Sequence, residues 1–442
     1  MSSLIDTLAT TDALDEIFSD ASILRGMLDF EAALAAAEAA AGLIPQRAAQ
    51  AVADAVRAGG FDAVSIAREA RESGTVSIPL VHALTARVRA ADPESASFVH
   101  WGATSQDAAD TAFVLALTRA RDALAVDHTR LDRALRDLSE RHARTVMLGR
   151  TLLQPAPPVT FGLKTARYAA ALARGWKRAD AAFTDTAILQ FGGASGTLAA
   201  LGGHGLDVAE KVANALRLKL PPASWHTDRD RLGALASALA VYTATVGKIA
   251  RDITLLMQDE VGEAAEPGGG SSTMPHKRNP SRCAAAIAAA TRMPGLTASF
   301  LTSMLQEHER AVGGWHAEWP ALEAIVKVAG AGVQALADAV EKLTVDPGRM
   351  RANIERTNGV IFAERVMMLV TPKRGKEAAH ALVTAALAGI ERDKVTLREA
   401  LTRLPEASSV LTPEEMRSID VPEDYLGAAE RMRVALLRSA DL

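Results

Sequence analysis

The sequence predicts an all-α protein built around a bundle of long helices. Leucines recur every seven residues between Gln106 and Val146, two further long segments carry apolar residues at helical spacing, and strand signals are few and short. Neither Gly nor Pro interrupts the first segment, so as a single helix it would be roughly 55 to 60 Å long. Long helices with narrow apolar seams pack side by side, which favours a central bundle.

The other elements follow the same periodicity. Long helices are predicted over Tyr168–Ala187, Leu232–Glu260 and Leu322–Leu343. The segments 145–148 and 157–161 could form one small hairpin. No basic region precedes the leucine repeat, so we interpret it as bundle core and not as a DNA-binding zipper.

The chain is too long for one hydrophobic core, since it has 442 residues. A Gly-Ala-Thr-Ser turn meets the long helix near residue 105, and a helical run ends near Val345-Asp346-Pro347. We therefore expect an amino-terminal helical domain (1–105), a central long-helix bundle (106–345) and a carboxy-terminal helical domain (346–442).

The composition is that of a soluble globular protein, with 49% hydrophobic residues, 23% charged residues and a net charge of -4. Such a balance argues against a nucleic-acid or membrane-surface partner. Cys283 is the only cysteine, which excludes an intrachain disulfide and favours the cytoplasm. The first residues lack the pattern of a secretory signal, and the longest uncharged helical run, Leu232 to Gly247, is too short to span a bilayer.

Four polar islands interrupt the alanine-rich helices. The first, HWGATSQD at 100–107, directly precedes the long helix. Thr104 or Ser105 can cap that helix, and the free N–H groups of a helix start suit an anion. Plain capping without a ligand remains an alternative.

The second and third islands also offer groups for an anion. In GRTLLQPAPP at 149–158, Arg150 and Gln154 can hold a carboxylate, although an ordinary turn explains the prolines equally well. In QFGGASGTLAALGG at 190–203, clustered glycines offer backbone N–H groups to an oxyanion. No GxGxxG follows a strand there, so dinucleotide binding is not expected.

The fourth island is GGGSSTMPHKRNP at 268–280. Its three glycines cost entropy to order, which predicts a mobile lid whose serines and cations converge on an anion. It is not a P-loop, because GK[ST] is absent, and not a nucleophile elbow, because GxSxG is absent. A solvated linker remains the alternative.

Arginines outside the islands are candidates to balance substrate carboxylates by charge complementarity alone. They are Arg229, Arg282 and Arg310, and for Arg229 a salt-bridged helix start is an equal alternative. His308 and His316 are eight residues apart and HExxH is absent, so no metal site is expected.

These islands together resemble the fumarase/aspartase superfamily. The signature GSSxMPxKxNP of that superfamily reads GSSTMPHKRNP at 270–280, and the first two islands resemble its other two sequence blocks. The resemblance covers nearly the whole chain in the expected order. It implies an all-helical homotetramer with a central twenty-helix bundle and active sites built from three chains. It also implies that neither a metal nor an organic cofactor takes part in making or breaking a carbon–heteroatom bond beside a carboxylate.

Within the superfamily, the stretches 72–84, 190–206 and 221–232 are most similar to bacterial 3-carboxy-cis,cis-muconate cycloisomerases. Adenylosuccinate lyases compete through HWGATSQD. The chain has Leu152 where lyases of the superfamily usually carry the histidine of GxTHLQ, which is implicated as a general acid. Losing such an acid commonly costs about 10²–10⁴-fold in rate. In lactonisation the attacking group is a substrate carboxylate with a pKa near ~4, already ionised at neutral pH, so Leu152 favours that reaction.

The resemblance also implies roles for individual residues. Ser271 corresponds to the acid/base that transfers the proton at carbon, and His100 matches a position close to the substrate. Lys277 and Asn279 correspond to ligands of the carboxylate at the reacting carbon. Substrate binding is further assigned to Thr104, Ser105, Gln154 and the loop residues Ser272, Met274 and His276.

Three alternatives stay open. The chain could be an adenylosuccinate- or argininosuccinate-type lyase that uses another acid, or a cycloisomerase for a related muconate with a different substituent. It could also be a catalytically silent bundle with a structural role, although a scaffold gives no reason to retain Ser271, Lys277 and Asn279.

Overall fold

A computed structural model of the protein describes residues 4–270, 273–274 and 277–438. Within these residues the fold is all-α apart from two small antiparallel sheets, which confirms the predicted class. The first helices are α1 (Asp12–Ile17), α2 (Asp20–Ala40), α3 (Gln46–Ala58), α4 (Ala63–Ser73) and α5 (Ser77–Ala91). The longer ones follow as α6 (Ser105–Arg141), α7 (Phe161–Thr186), α8 (Gly205–Leu216), α9 (Asp230–Leu256), α10 (Ser281–Ser303) and α11 (Gly314–Val340). The last are α12 (Pro347–Glu355), α13 (Ala363–Arg374), α14 (Lys376–Asp393), α15 (Leu397–Thr402), α16 (Pro405–Val410), α17 (Pro413–Ser418) and α18 (Ala429–Arg438).

The predicted long helices are confirmed with shifted ends. The leucine repeat forms α6, which ends at Arg141, five residues before the predicted end at Val146, because the chain turns there into a strand. The other three segments are α7, α9 and α11. Helices α9 and α11 are long and apolar enough to cross a membrane, but 56% and 67% of their most apolar windows are buried in the protein, as in a bundle core.

The chain divides into two compact units, each drawn from three separate stretches. Unit 1 comprises Met1–His128, Gly175–Gly247 and Ala285–Gln334. Its core is filled by aromatic residues such as Phe30, Phe183 and Phe300, all almost fully buried. Small residues allow close helix packing: a Cβ on Gly247 of α9 would lie 2.3 Å from Cβ of Ala290 in α10.

Unit 2 comprises Thr129–Arg174, Lys248–Ala284 and Ala335–Leu442. It contains the predicted hairpin, formed by β1 (Val146–Thr151) and β2 (Gln154–Thr160), and a second small sheet of β3 (Ala264–Ala265) and β4 (Thr344–Val345). Val146 and Leu148 of β1 pack with α13 and α14 in one apolar core. The three-domain division expected from the sequence stays a prediction.

The turn of the β1–β2 hairpin is unusual. It consists of Leu152 and Leu153, with φ of 49° and 63°. A two-residue hairpin loop with positive φ at both positions matches a type I′ turn, which strongly prefers Asn-Gly. The two leucines are 96% and 74% exposed, so two large apolar residues occupy a conformation that suits neither.

Candidate active site

In unit 1, three of the predicted site residues meet at the start of α6. The Arg310 guanidinium donates one hydrogen bond to the Thr104 hydroxyl and a second, of 3.2 Å, to Ser105 Oγ. All three side chains are partly exposed. The cluster therefore offers a cation and two hydroxyls at a helix amino terminus, a combination that suits a carboxylate.

In the described part of the chain, neither hydroxyl accepts a hydrogen bond as the predicted helix cap. The Asp107 carboxylate instead reaches back to the Thr104 backbone N–H at 3.0 Å. This is the acidic half of a capping box, in which a side chain on the third helical residue binds the N-cap N–H group. The hydroxyls of Thr104 and Ser105 are left to Arg310.

Asp107 is fully buried and accepts three more hydrogen bonds. They come from the backbone N–H groups of Gly192 at 3.0 Å and Gly193 at 2.9 Å, and from Nε2 of His226 at 2.7 Å. Gly193 has φ of +68°, and a Cβ there would lie 2.8 Å from the Gly102 carbonyl oxygen. The N–H groups of the glycine island thus donate to an oxyanion, as predicted. That oxyanion is the Asp107 carboxylate of the protein itself, which fixes the start of α6.

His100 lies just before α6 with φ of 59°, and its Nδ1 is 2.6 Å from Oε1 of Glu31 in α2. Burial of the imidazole opposes its protonation, but the carboxylates of Glu31 and Asp107 outweigh that effect and raise the pKa of His100. Hence His100 carries its proton at a higher pH than an ordinary histidine, as a proton donor or carboxylate ligand requires.

A second buried acid lies two turns beyond Glu31 on α2. Glu38 is fully buried, and neither of its carboxylate oxygens has a hydrogen-bond partner within the described residues. Burial, and secondarily the negative charge of Glu31, raise the pKa of Glu38 to about 8. Sequence reasoning missed both acids, although their spacing of seven puts them on one face of an otherwise alanine-rich helix.

The structure corrects the assignment of Arg229 to substrate binding. Its side chain is 1% exposed and bonds to Asp110, at 2.8 Å, and to Glu318. Burial raises the pKa of Glu318 to about 7. The Arg229 guanidinium lowers this pKa, but the negative charge of Asp110 acts in the same direction as burial. Burial of Asp110 is outweighed by Arg229, which lowers the pKa of that carboxyl. The salt-bridged alternative is therefore the one observed, and a ligand cannot reach Arg229.

In unit 2, Arg150 of β1 is also bound internally. It makes two hydrogen bonds, of 2.8 and 2.6 Å, to the buried carboxylate of Glu263, which also accepts one of 2.8 Å from Asn353. The Arg150 side chain remains 26% exposed, so its predicted contact with a substrate stays a prediction. Gln154 is exposed at the first position of β2.

The base of the signature loop is well defined. Gly269 and Asn279 exchange backbone hydrogen bonds of 3.0 and 3.2 Å, and the Glu266 carboxylate accepts bonds from the N–H groups of Arg282 and Cys283 at the start of α10. The Arg282 guanidinium donates a hydrogen bond of 2.7 Å to the Pro267 carbonyl oxygen, so this arginine stabilises the base of the loop. Lys277 and Met274 are exposed. The predicted site residues Ser271, Ser272 and His276 lie outside the described residues.

No group of three or more His, Cys, Asp or Glu side chains able to hold a metal ion occurs among the described residues. The buried carboxylates of Asp107 and Glu263 accept hydrogen bonds from backbone or side-chain donors. The Glu38 carboxylate has no hydrogen-bond partner within the described residues.

The sequence matches two known protein families. Residues 7–295 match the sequence profile of a family described as lyase, and residues 359–434 match one described as adenylosuccinate lyase C-terminus. A 3-carboxy-cis,cis-muconate cycloisomerase from Bradyrhizobium diazoefficiens is 46% identical, with 100% of this chain and 99% of that protein covered. One from Pseudomonas aeruginosa is also 46% identical, covering 96% of this chain and 94% of that protein.

The fold is similar to that of a solved relative as well. The crystal structure of the 3-carboxy-cis,cis-muconate lactonizing enzyme from Pseudomonas putida superposes with a TM-score of 0.93. It is 43% identical, and the alignment covers 99% of this chain and 98% of that one.

Proposed function

Because this chain belongs to the fumarase/aspartase superfamily of lyases, we propose that it converts 3-carboxy-cis,cis-muconate to 4-carboxymuconolactone without a cofactor. The observation that carries the proposal is the full-length similarity, at 46% identity, to a cycloisomerase of that substrate. Lactonisation of this muconate belongs to protocatechuate degradation, which is the pathway we assign to the enzyme.

The proposed reaction forms one carbon–oxygen bond and transfers one proton to carbon. A carboxylate oxygen of the substrate attacks the carbon at the far end of a double bond, and the electron pair moves toward the neighbouring carboxylate to give an enediolate-like intermediate. The Ser271 hydroxyl then donates its proton to carbon, and the serine alkoxide that remains takes a proton from water. No group leaves, so no acid is needed for a leaving group, and the exposed Leu152 at the position of the missing histidine is compatible with this chemistry.

We assign the described residues roles that fit their surroundings. The cluster of Arg310, Thr104 and Ser105 binds a substrate carboxylate, and His100, whose pKa is raised by the carboxylates of Glu31 and Asp107, is a further hydrogen-bond donor. Lys277 and Asn279 hold the carboxylate that becomes enediolate-like, because developing charge there needs fixed donors. These assignments rest on geometry and on the superfamily resemblance.

We also propose a cytoplasmic homotetramer whose active sites combine residues of three chains, as the superfamily resemblance implies. The single, buried Cys283 is compatible with a reducing compartment.

An adenylosuccinate-type lyase is the second candidate. It is favoured by the match of residues 359–434 to the adenylosuccinate lyase C-terminus. Such an enzyme must protonate its leaving group, and Leu152 cannot do so, which is why lactonisation is preferred.

An ultraviolet assay separates the candidates. The purified protein, with a metal chelator present, is mixed with 3-carboxy-cis,cis-muconate, and loss of the conjugated diene absorbance is expected as the lactone forms. No loss, together with turnover of adenylosuccinate, would identify the lyase. No activity on either substrate would contradict both assignments and favour a related muconate or a structural role.

A further inference from the structure

A group of cations in unit 2 lies where α7 packs against α9, and none of the roles above uses it. Lys164, Arg167 and Tyr168 share one face of α7, and Lys248 and Asp252 lie one turn apart on α9. We call these five residues the Asp252 cluster.

One carboxylate oxygen holds the cluster together. Oδ2 of Asp252 accepts hydrogen bonds from the Tyr168 hydroxyl and from Lys248 Nζ at 2.5 Å. The Lys248 ammonium also lies 4.4 Å from the centroid of the Tyr168 ring. Asp252 is therefore already occupied by a phenol and an ammonium.

Lys164 has the weakest contacts of the cluster, an ion pair with Asp252 and a distance of 5.9 Å to the centroid of the Tyr168 ring. Its ammonium is 3.7 Å from Oδ2 of Asp252, beyond hydrogen-bonding distance, and it makes no hydrogen bond within the described part of the chain. Its side chain is 29% exposed, and its nitrogen is not among the buried polar atoms that lack a partner, so a solute can reach it. An ammonium has three donors, and all three are therefore open to an acceptor from outside the protein.

The surroundings of Lys164 are positively charged. Burial lowers the pKa of Lys164, and the cations of Lys248, Arg150 and Arg167 lower it further, outweighing the attraction of Asp252. Arg150 is neutralised by Glu263, and Asp252 balances one of the other three cations. A surplus of two positive charges remains beside a half-buried lysine.

We propose that the Asp252 cluster is a subsite for a carboxylate of a polycarboxylate substrate, with Lys164 as its principal ligand. A carboxylate placed beside Lys164 would supply the missing acceptors and compensate the surplus charge. This inference rests on the proposed function for the identity of the substrate, but the binding it describes can be measured without turnover.

The binding test uses tricarballylate, a saturated tricarboxylate that cannot react, and follows thermal unfolding at constant ionic strength. Tricarballylate at millimolar concentration is expected to raise the midpoint of the full-length protein, and Lys164→Met to remove most of that rise. Lys164→Arg should retain it, and Lys177→Met, which removes an exposed cation elsewhere on α7, should not change it. An equal rise in Lys164→Met and the wild type would overturn the proposal. A rise with inorganic phosphate that equals the rise with tricarballylate would also overturn it, because the subsite would then be a general anion site.

Kinetics with 3-carboxy-cis,cis-muconate provide the second readout. Lys164→Met is expected to raise KM about tenfold with kcat changed less than threefold, because an ion pair present in both ground and transition states contributes to uniform binding. In the wild type KM should rise at alkaline pH as Lys164 loses its proton, and Lys164→Arg should not show this rise. Unchanged KM in Lys164→Met would reject the subsite while leaving the lactonisation intact. An enzyme inactive on muconate that still shows Lys164-dependent binding of tricarballylate would reject the function and retain the subsite.

Loss of folding does not confound these results. Removing one of several crowded cations should leave the stability of the free protein equal or higher, which circular dichroism and the unliganded midpoint will show.

Discussion

Glu31 and Glu38 lie on the same face of α2, yet among the residues that the structure describes only Glu31 has a hydrogen-bond partner, the imidazole of His100. The two acids therefore behave differently. Glu31 is neutralised in part by the histidine, whereas Glu38 is buried beside another acid and keeps its proton up to a pH of about 8. This asymmetry gives two tests, one for each acid.

Glu38 should make the protein less stable at alkaline pH. Its folded-state pKa of about 8 lies above the ordinary value of 4.5, so the folded state binds more protons between these limits. The stabilising contribution is fully present below pH ~4.5 and is lost as the pH rises through 8, a difference of about a few kcal/mol. In urea unfolding, Glu38→Gln should lose less free energy of unfolding between pH 6 and pH 9 than the wild type does. Glu210→Gln, on the exposed face of α8, should lose as much as the wild type. Equal losses in Glu38→Gln and the wild type would show that Glu38 ionises normally.

Glu31→Gln should weaken the protonated form of His100. Burial is the strongest influence on the His100 pKa, and it disfavours the protonated imidazole. Without the Glu31 charge, only the Asp107 carboxylate would favour that form. A hydrogen bond to a charged group contributes about 1.5–3 kcal/mol, so kcat/KM at pH 8 should fall roughly ten- to hundredfold, with less loss at pH 6. The imidazole resonances of His100 should titrate at lower pH in the variant. A pH profile parallel to that of the wild type would exclude a protonated His100 from the reaction.

Ser271→Ala should lower kcat by about 10²–10⁴-fold, the usual contribution of a positioned acid or base. Circular dichroism and size-exclusion chromatography should match the wild type, because one hydroxyl is removed without changing the apolar cores. Ser65→Ala, at a partly exposed position of α4, is the matched control. Near-normal turnover of Ser271→Ala would remove this serine from its proposed role.

Leu152→His should leave the lactonisation rate within about threefold, because the reaction has no leaving group that needs a proton. The substituted histidine would occupy an exposed turn position with φ of 49°, which His tolerates better than Leu. Steady-state rates with 3-carboxy-cis,cis-muconate decide the point. A gain above tenfold would mean that the absent acid limits the enzyme.

The double variant Leu152→Asn with Leu153→Gly should stabilise the protein. Each leucine in a left-handed conformation costs about 1 kcal/mol, so relief of both should raise Tm by about 1–3 °C in differential scanning calorimetry. Leu153→Ala, which shortens the side chain but retains the left-handed conformation, should not give this rise. A Tm at or below that of the wild type would show that the turn carries no strain.

Local patterns predicted the elements well, and partners distant in sequence could not be predicted. The seven-residue leucine repeat indicated α6, and the segments flanking Leu152 indicated the hairpin. The carboxylates that bind Arg229 are 119 and 89 residues away in the chain, so charge complementarity alone misassigned this arginine to a ligand. The glycine island likewise binds Asp107, about 85 residues before it. By contrast, Thr104, Ser105 and Arg310 were predicted as site residues and do lie together.

The interleaved composition of the two units has a consequence for how the chain folds during synthesis. One core of unit 1 is complete only after α11 is synthesised, because Leu322, Ile325 and Val326 of α11 pack there with residues of α1, α2 and α6. Nascent chains of this protein should therefore expose the apolar faces of these helices for most of translation, whereas the separate core within residues 24–112 can form before α11 is made. Ribosome-bound fragments that stop before residue 314 should remain sensitive to protease within α6, and those that extend beyond α11 should resist cleavage there.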